Sequence, residues 1–210
     1  MDLRLIRLIA ITDDLRDGRS GLVARAAAAV SGGATMVQVR LKDVEARELV
    51  EVTRALVTAL AVPVVVNDRM DVALAAGAAG VHLGADDLPP AAARAIAPEG
   101  FIIGSSLGMD SELADARCAD YVGIGPVYST DSKADAGADI GVARFARLAT
   151  QCARPAVAIG GVTAANVAAV VAVGASGVAV IRAVLSSADP GAAARALRTA
   201  MGDGSDILGG

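Results

Sequence analysis

The sequence predicts one closed barrel of eight parallel strands, each followed by a helix. Short Val- and Ile-rich runs alternate with Ala-rich amphipathic runs along the chain, and such continuous apolar runs are typical of strands buried on both faces of a parallel sheet. The alternation supplies eight strand–helix pairs, and 210 residues lie at the compact end of the size range for that architecture. We therefore expect the α/β class and a single (β/α)8 TIM barrel over residues 1–201, with a flexible tail over 202–210.

An open doubly wound sheet is the alternative arrangement of the same elements. It is disfavoured because no GxGxxG motif follows the first apolar run, where a dinucleotide-binding sheet of this kind carries one.

Each predicted strand is a short run rich in branched apolar residues and bounded by turn residues. In chain order the predicted strands are Leu5–Ile11, Met36–Val39, Val62–Val66, Gly80–His82, Phe101–Gly104, Asp120–Gly123, Ala156–Ile159 and Gly177–Val180.

Each predicted helix is an amphipathic run between two of these strands. Several of the helices are followed by a Gly-Ala-x tripeptide (residues 33–35, 77–79 and 174–176), which is typical of a helix C-cap that leads back into a strand. In chain order the predicted helices are Gly21–Ser31, Val44–Leu60, Arg69–Ala76, Pro90–Ala95, Ser111–Arg117, Val142–Cys152, Ala164–Val173 and Gly191–Met201.

The composition and charge exclude several classes of function. A chain that is 54% hydrophobic and 20% charged has enough apolar material for one core, and a net charge of −4 argues against a nucleic-acid partner. Cys118 and Cys152 lack metal-ligand or CxxC spacing, which favours free thiols in a reducing cytoplasm. Residues 155–181 carry no charge, but proline, glycine and asparagine divide them into strand, helix and strand, so we expect no membrane span.

The longest predicted loop, residues 124–141, follows the sixth strand. Loops of that length inside a compact domain are usually functional or disordered. This one carries Thr130, Ser132 and Lys133, and hydroxyls beside a lysine are suited to holding an anion.

Active residues of such barrels lie at the carboxyl ends of the strands and in the loops that follow. At the end of the second strand, Gln38, Arg40 and Lys42 occupy alternate positions, so we expect the three side chains to point the same way. Together with Lys133 they predict a local anion site on a negatively charged protein. The alternative is a solvated strand end with its charges directed outward.

Two aspartates follow neighbouring strands. Asp68 comes after the third strand and Asp87 after the fourth, so their carboxylates could approach each other. Mg²⁺ binds through a few carboxylates, waters and phosphate oxygens, and these residues therefore predict a magnesium site. Helix N-capping is the alternative role for both.

A second anion site is predicted after the seventh strand. Gly160 and Gly161, with residues 175–182 around the eighth strand, match the phosphate site that barrels build from their last two loops. Small residues allow backbone N–H groups to approach an anion, although a Gly-Gly pair can also be a simple tight turn. Two anion sites imply two phosphorylated substrates. We interpret the single histidine, His82, as a positioned core or rim residue rather than a catalytic base.

As an ordered set, these strand-end motifs resemble the thiamine phosphate synthase family over about residues 5–200. The segments that carry the resemblance are Gln38–Lys42, Asn67–Arg69 with Asp71, Val81–Gly84 running to Asp87, Gly125–Val127, Thr130–Lys133, Ile159–Gly161 and Gly174–Ile181.

The resemblance implies a barrel enzyme that joins a pyrimidine methyl diphosphate to a thiazole phosphate and releases pyrophosphate with Mg²⁺. It implies Asp68 and Asp87 as the metal ligands, and Arg40, Lys42, Ser106 and Lys133 as catalytic groups. The residues that it implies for binding the two substrates are Gln38, Arg40, Lys42, Asn67, Ser106, Thr130, Ser132, Lys133, Gly160, Gly161, Ile181 and Arg182.

The chain also departs from the family pattern at a few positions. Leu107 and Gly108 follow Ser106 where the family often has Thr and His, and Arg182 stands where a serine is common. Ser129 replaces a proline, and Ser132 a threonine. None of these departures removes a charged group that the chemistry needs.

Three alternatives remain for the function. A thiazole tautomerase of the same superfamily tends to lack the metal and diphosphate residues and has a histidine near position 126, where this chain has Pro126. A non-catalytic barrel would bind a phosphorylated metabolite without turnover, and a third alternative is another phosphate-binding barrel enzyme. The expected partners are small-molecule substrates, with no nucleic acid and no membrane, and a homodimer is one assembly that the sequence allows.

Overall fold

The computed structural model describes residues 1–42, 44–130 and 139–203, which form a closed barrel of eight parallel strands with helices around it. Each strand pairs with the next in chain order, and the first pairs with the last through the register Leu8↔Val178 and Ala10↔Val180. The predicted (β/α)8 barrel is therefore confirmed, and the open sheet is excluded because the ring of strands is closed.

The observed strands are short and almost wholly buried. They are β1 (Leu8–Ile11), β2 (Met36–Val39), β3 (Val64–Asn67), β4 (Gly80–Leu83), β5 (Ile102–Leu107), β6 (Tyr121–Ile124), β7 (Ala156–Ile159) and β8 (Gly177–Val180).

The two largest differences from the predicted strand boundaries have physical reasons. The first strand begins at Leu8 rather than Leu5, because Leu3–Ile6 form a 3-10 helix whose fully buried Ile6 packs at the amino-terminal end of the barrel interior. The fifth strand continues past Gly104 to Leu107, because Ser105 and Ser106 pair with β6. The polar hydroxyl groups of Ser105 and Ser106 interrupt the apolar pattern, so the hydropathy of the sequence did not indicate that the strand continues.

The helices surround the barrel. They are α1 (Gly18–Ser31), α2 (Ala46–Ala59), α3 (Met70–Ala76), α4 (Pro90–Ile96), α5 (Leu113–Ala116), α6 (Gly141–Cys152), α7 (Val167–Ala172), α8 (Arg182–Leu185) and α9 (Pro190–Ala200).

Two differences from the predicted helices lie close to the candidate site. The helix predicted over 111–117 is a 3-10 turn at Asp110–Glu112 followed by the single turn of α5. Helix α8 was not predicted, because four residues directly after a strand carry no amphipathic period. Both segments follow strand ends that contribute to the cavity described below.

The core consists of an interior layer and an outer layer. Alternate strand residues point inward, so that Ile9, Val65 and Val157 fill the barrel. The intervening residues, such as Val37 and Val178, pack against the helices outside. At the carboxyl end of each strand the inward side chain faces the open mouth, which is where polar residues appear.

Both cysteines are reduced, and the end of the described chain is held by ion pairs. Cys118 is exposed and Cys152 is buried, and both are free thiols. Among the described residues, none of the helices has the length and apolar character needed to span a bilayer. Asp203, within the predicted tail, pairs with Arg7 and Arg198, while residues 204–210 lie outside the described part.

Candidate active site

A large cavity of about 1280 Å³ opens at the carboxyl ends of the strands. Its wall includes residues from the ends of most strands and from the loops that follow them, as expected for the active end of such a barrel. The predicted site residues that line it are Gln38, Arg40, Asn67, Asp68, Asp87, Ser106, Thr130, Gly160, Gly161, Ile181 and Arg182.

Among the described residues, one predicted site residue does not line that cavity. Lys42 lies in a smaller adjoining cavity of about 170 Å³, which shares Arg40, Asn67 and Asp68 with the larger one. Strand β2 ends at Val39, as predicted, so Arg40 and Lys42 follow the strand; Arg40 lines both cavities, whereas Gln38 lines only the larger and Lys42 only the smaller of the two. Ser132 and Lys133 lie outside the described residues.

The backbone of Arg40 is held in place by β1. The buried hydroxyl of Thr12 accepts a hydrogen bond from the Arg40 N–H at 2.8 Å and donates one to the Arg40 carbonyl at 3.1 Å. The Thr12 N–H in turn donates to the Gln38 carbonyl at 2.9 Å. A single threonine therefore joins the ends of the first two strands and fixes where the Arg40 side chain leaves the barrel.

Asp68 and Asp87 both line the cavity but adopt different local structures. Asp68 has a φ of 62°, and its N–H donates to the His82 carbonyl at 2.8 Å, which ties the end of β3 to β4. The Asp87 carboxylate accepts a hydrogen bond from the Gly84 N–H at 2.6 Å. Neither aspartate occupies an N-cap position, because the N-cap residues of α3 and α4 are Arg69 and Pro89.

The Gly160–Gly161 turn has a structural reason as well as a position at the cavity. Both residues have positive φ, 90° and 64°. A Cβ on Gly161 would lie 2.6 Å from the Ser129 carbonyl oxygen, and one on Gly160 would lie 2.5 Å from the Pro126 Cα. Because positions 160 and 161 are glycines, the first part of the long loop, which contains Pro126 and Ser129, packs directly against the end of β7.

Below the mouth, buried polar side chains from neighbouring strands are in hydrogen-bond contact. Nδ1 of His82 lies 3.1 Å from the Tyr121 hydroxyl, and Nε2 lies 3.3 Å from Oγ of Ser106. Burial raises the pKa of the Tyr121 hydroxyl well above its usual value; a hydrogen bond from Gln38 lowers it in part, and the charge of Asp120 raises it further. Tyr121 therefore remains protonated at any pH at which the protein is studied.

Tyr121 was not among the predicted site residues. The available signal was the pair Gly104 and Gly123, which occupy inward positions of β5 and β6 and leave room for a large side chain in an aromatic-poor protein.

The wall next to Ser106 contains a carboxylate and a guanidinium. The Glu112 carboxylate accepts hydrogen bonds from the N–H groups of Gly108 and Met109 at 2.6 and 3.1 Å. The Arg144 guanidinium donates to the Gly108 carbonyl at 3.3 Å. Glu112 and Arg144 line the cavity and were not among the predicted site residues. Neither residue stands directly after a strand, so the strand-end rule did not select them.

The fold and the cavity define a class of protein. A closed parallel barrel with a cavity lined by arginines and carboxylates at the carboxyl ends of its strands has the architecture of a TIM-barrel enzyme.

The chain belongs to the thiamine-phosphate synthase family, since the family model described as thiamine monophosphate synthase matches residues 8–184. That membership makes it a transferase of thiamine biosynthesis.

The relatives agree over nearly the whole chain. It is 46% identical to the thiamine-phosphate synthase of Xanthobacter autotrophicus, covering 93% of this chain and 95% of that one. It is 48% identical to the enzyme of the same name from Methanoculleus marisnigri, covering 91% and 93%. A solved thiamine phosphate pyrophosphorylase from Pyrococcus furiosus superposes with a TM-score of 0.82 at 34% identity, covering 99% of both chains.

Proposed function

We propose that the protein condenses a 4-amino-2-methyl-5-hydroxymethylpyrimidine diphosphate with a thiazole phosphate, giving thiamine phosphate and pyrophosphate. The observation that carries the proposal is the convergence of Arg40, Asp68 and Asp87 with the Gly160–Gly161 turn on one cavity. Its volume of about 1280 Å³ leaves room for two small phosphorylated molecules together.

The diphosphate end is assigned to the side of the cavity formed after β2 and β3. Arg40 lies there with Asn67, and Lys42 lies in the adjoining smaller cavity. A guanidinium can bind two phosphate oxygens at once and an ammonium acts as a point charge, so the two suit a diphosphate. Ser132 and Lys133 are proposed to join them from the long loop.

Asp68 and Asp87 are proposed to hold Mg²⁺. Two carboxylates facing a cavity suit this ion, which takes one or two protein carboxylates and completes its shell with water and phosphate oxygens. Among the described residues there is no group of three or more His, Cys, Asp and Glu arranged to hold a metal. An ion held by two carboxylates would take its other ligands from water and the diphosphate oxygens. Bound Mg²⁺ would neutralise charge on the departing pyrophosphate.

The thiazole phosphate is assigned to the opposite side of the cavity. Gly160 and Gly161 follow β7 there, and Ile181 and Arg182 follow β8. Backbone N–H groups at such loops and the Arg182 guanidinium both favour a phosphate dianion. Thr130 lines the same cavity at the start of the long loop.

The reaction needs positioned charge rather than a strong base. The methylene C–O bond breaks with its electron pair leaving on pyrophosphate, and the electron-rich aminopyrimidine carries the resulting cation. The thiazole nitrogen then donates its lone pair to form the new C–N bond. Arg40 and Lys42 stabilise the leaving group, while Ser106 orients the pyrimidine, so the rate gain comes from electrostatics and alignment.

The decisive experiment measures pyrophosphate release with each substrate alone, with both, and with or without Mg²⁺. We expect release only in the complete mixture. Asp68→Asn is the sharpest variant, because asparagine tolerates the left-handed backbone at this position and removes only the charge. Release should fall on the order of 100-fold or more, while binding of thiazole phosphate stays close to wild type.

Asp2→Asn is the matched control, since it removes one aspartate charge from an exposed pair with Arg4 far from the cavity. Its activity should equal that of the wild type.

Interconversion of thiazole tautomers without pyrophosphate would instead identify a tautomerase, and binding of both ligands without any turnover would identify a non-catalytic barrel. The two free cysteines are in keeping with a reducing cytoplasm as the site of this activity.

A further inference from the structure

Three polar side chains that line the large cavity form a hydrogen-bonded series. They are Tyr121 on β6, His82 on β4 and Ser106 on β5. From this geometry we infer that Tyr121 holds His82 as the Nε2–H tautomer, so that Ser106 presents its hydroxyl hydrogen to the substrate. The part of the inference that concerns the substrate rests on the proposed function.

The direction of the series begins at Tyr121. A phenol O–H is a stronger donor than a neutral imidazole N–H, and an unprotonated imidazole nitrogen is a stronger acceptor than a phenol oxygen. Tyr121 is 1% exposed and has one hydrogen of its own. The neighbouring acceptor for that hydrogen is Nδ1 of His82, at 3.1 Å.

The second step sets the imidazole. A neutral histidine carries one ring hydrogen, and an Nδ1 that accepts from Tyr121 leaves this hydrogen on Nε2. Nε2 lies 3.3 Å from Oγ of Ser106 and is therefore the donor in that contact. The hydrogen bond from Tyr121 to His82 therefore fixes the direction of the hydrogen bond from His82 to Ser106.

The third step concerns the hydrogen bond that Ser106 can make to a ligand in the cavity. Because Oγ of Ser106 accepts from the imidazole, its own hydrogen is not given back to that ring and can be donated to a ligand. Ser106 lines the large cavity, so it would serve an acceptor atom such as a heteroaromatic ring nitrogen. Under the reverse tautomer, Ser106 would donate to Nε2 and offer the ligand only lone pairs. Tyr121 and His82 are thus positioning residues.

Two glycines make the arrangement sterically possible. A Cβ on Gly104 would lie 2.5 Å from Nδ1 of His82, and a Cβ on Gly123 would lie 3.1 Å from its Cε1. The imidazole therefore occupies space that any side chain on these inward positions of β5 and β6 would take. The close fit restricts the ring to the orientation in which both nitrogens have partners.

The test uses the fact that His82 is the only histidine of the chain. Untagged, ligand-free protein labelled with ¹⁵N-histidine gives one imidazole spin system, and long-range ¹H–¹⁵N correlation at pH 8 reports which nitrogen is protonated. We expect an unprotonated Nδ1 and a protonated Nε2. Tyr121→Phe should move both nitrogen shifts toward the tautomer average, whereas Ser106→Ala should leave Nδ1 unprotonated.

A protonated Nδ1 in the wild type, a doubly protonated ring, or an unchanged spectrum in Tyr121→Phe would overturn the inference. The wild-type spectrum is decisive even if a variant folds poorly, and it needs no substrate. Failure of the proposed reaction therefore cannot be confused with failure of the tautomer assignment.

A double-mutant cycle on pyrophosphate release tests the link to the substrate. Tyr121→Phe should lower kcat/KM by about 3- to 10-fold in the wild-type background, the range expected for one misdirected hydrogen bond. In the Ser106→Ala background the same change should have almost no further effect, because the hydroxyl that it directs is gone. Equal effects in the two backgrounds would show that Tyr121 acts only through general packing.

Discussion

At the scale of single residues, the site depends on glycines, which have no side chain, as much as on charged residues. Gly104 lies inside the barrel between the Tyr121 and His82 rings, and Gly161 lies under the Ser129 carbonyl. Interiors packed to crystal density cannot absorb one more carbon at such positions without displacement. These glycines therefore decide where the polar groups of the site can lie.

Gly104→Ala should consequently destabilise the protein. Its Cβ would lie 2.5 Å from Nδ1 of His82, and overpacking of this kind costs about 1–3 kcal/mol of unfolding free energy. Urea unfolding followed by circular dichroism measures the change. Gly108→Ala is the control, because its Cβ would have no neighbour nearer than 3.7 Å; equal stabilities of the two variants would contradict the packing argument.

At the scale of elements, the pairing of β1 with β2 is held at both ends by a threonine. Thr12 binds the backbone of Arg40 at the open mouth. Thr35 makes the same kind of bridge at the opposite end, where its hydroxyl accepts from the Leu8 N–H at 2.9 Å and donates to the Leu8 carbonyl at 3.2 Å. Only the first bridge adjoins a residue of the candidate site.

Because Thr12 and Thr35 make the same kind of bridge, the two residues allow a matched pair of substitutions. Thr12→Val and Thr35→Val each remove a bridging hydroxyl, and each should lower the unfolding free energy by about 1 kcal/mol. Only Thr12→Val should also reduce kcat/KM for pyrophosphate release, by about 10-fold, because Arg40 loses its anchor. Steady-state kinetics on both variants measures this difference, and an equal loss of activity in Thr35→Val would contradict it.

At the scale of the whole molecule, the barrel closes where the two ends of the described chain meet. Strand β1 pairs with β8, and just before β1 the Arg7 guanidinium pairs with Asp203 at 2.8 Å. Arg198 of α9 pairs with the same carboxylate at 2.7 Å. One acidic residue therefore ties the last helix to the first strand.

This ion pair predicts a pH-dependent contribution to stability. Burial alone would raise the pKa of Asp203, but the hydrogen bonds and charges of Arg7 and Arg198 outweigh it, and the pKa lies below the ordinary 3.8. A lowered folded-state pKa stabilises the protein fully above the unfolded-state value, and the contribution is lost as the pH falls through the folded-state pKa.

Asp203→Asn should therefore cost about 1.5–3 kcal/mol of unfolding free energy at pH 7. The difference from the wild type should shrink as the pH falls below 3.8. Denaturant unfolding at a series of pH values checks both points. Asp2→Asn, at an exposed pair with Arg4, should show no measurable change at either pH, and a pH-independent cost for Asp203→Asn would refute the electrostatic explanation.

Much of this protein could be predicted from residue order alone. Eight apolar runs that alternate with amphipathic ones predict a parallel sheet covered on both faces, and their number matches the eight strands of a closed barrel. The strand-end rule then selects Gln38, Arg40, Asn67 and Ser106, and all of them line the cavity. These features are local in sequence, which is why a single chain suffices to find them.

The tertiary structure alone determined which distant groups touch. The contact of His82 with Tyr121 and Ser106 joins three strands, and Glu112 and Arg144 reach the cavity from a turn and a helix behind its wall. Lys42 follows the end of β2 and lines the smaller cavity rather than the larger one. Such contacts, and the closure of the sheet into a ring, depend on register, strand length and free volume, which only the folded barrel defines, whereas the order of apolar and polar residues already determined the eight buried parallel strands and the helices that cover them.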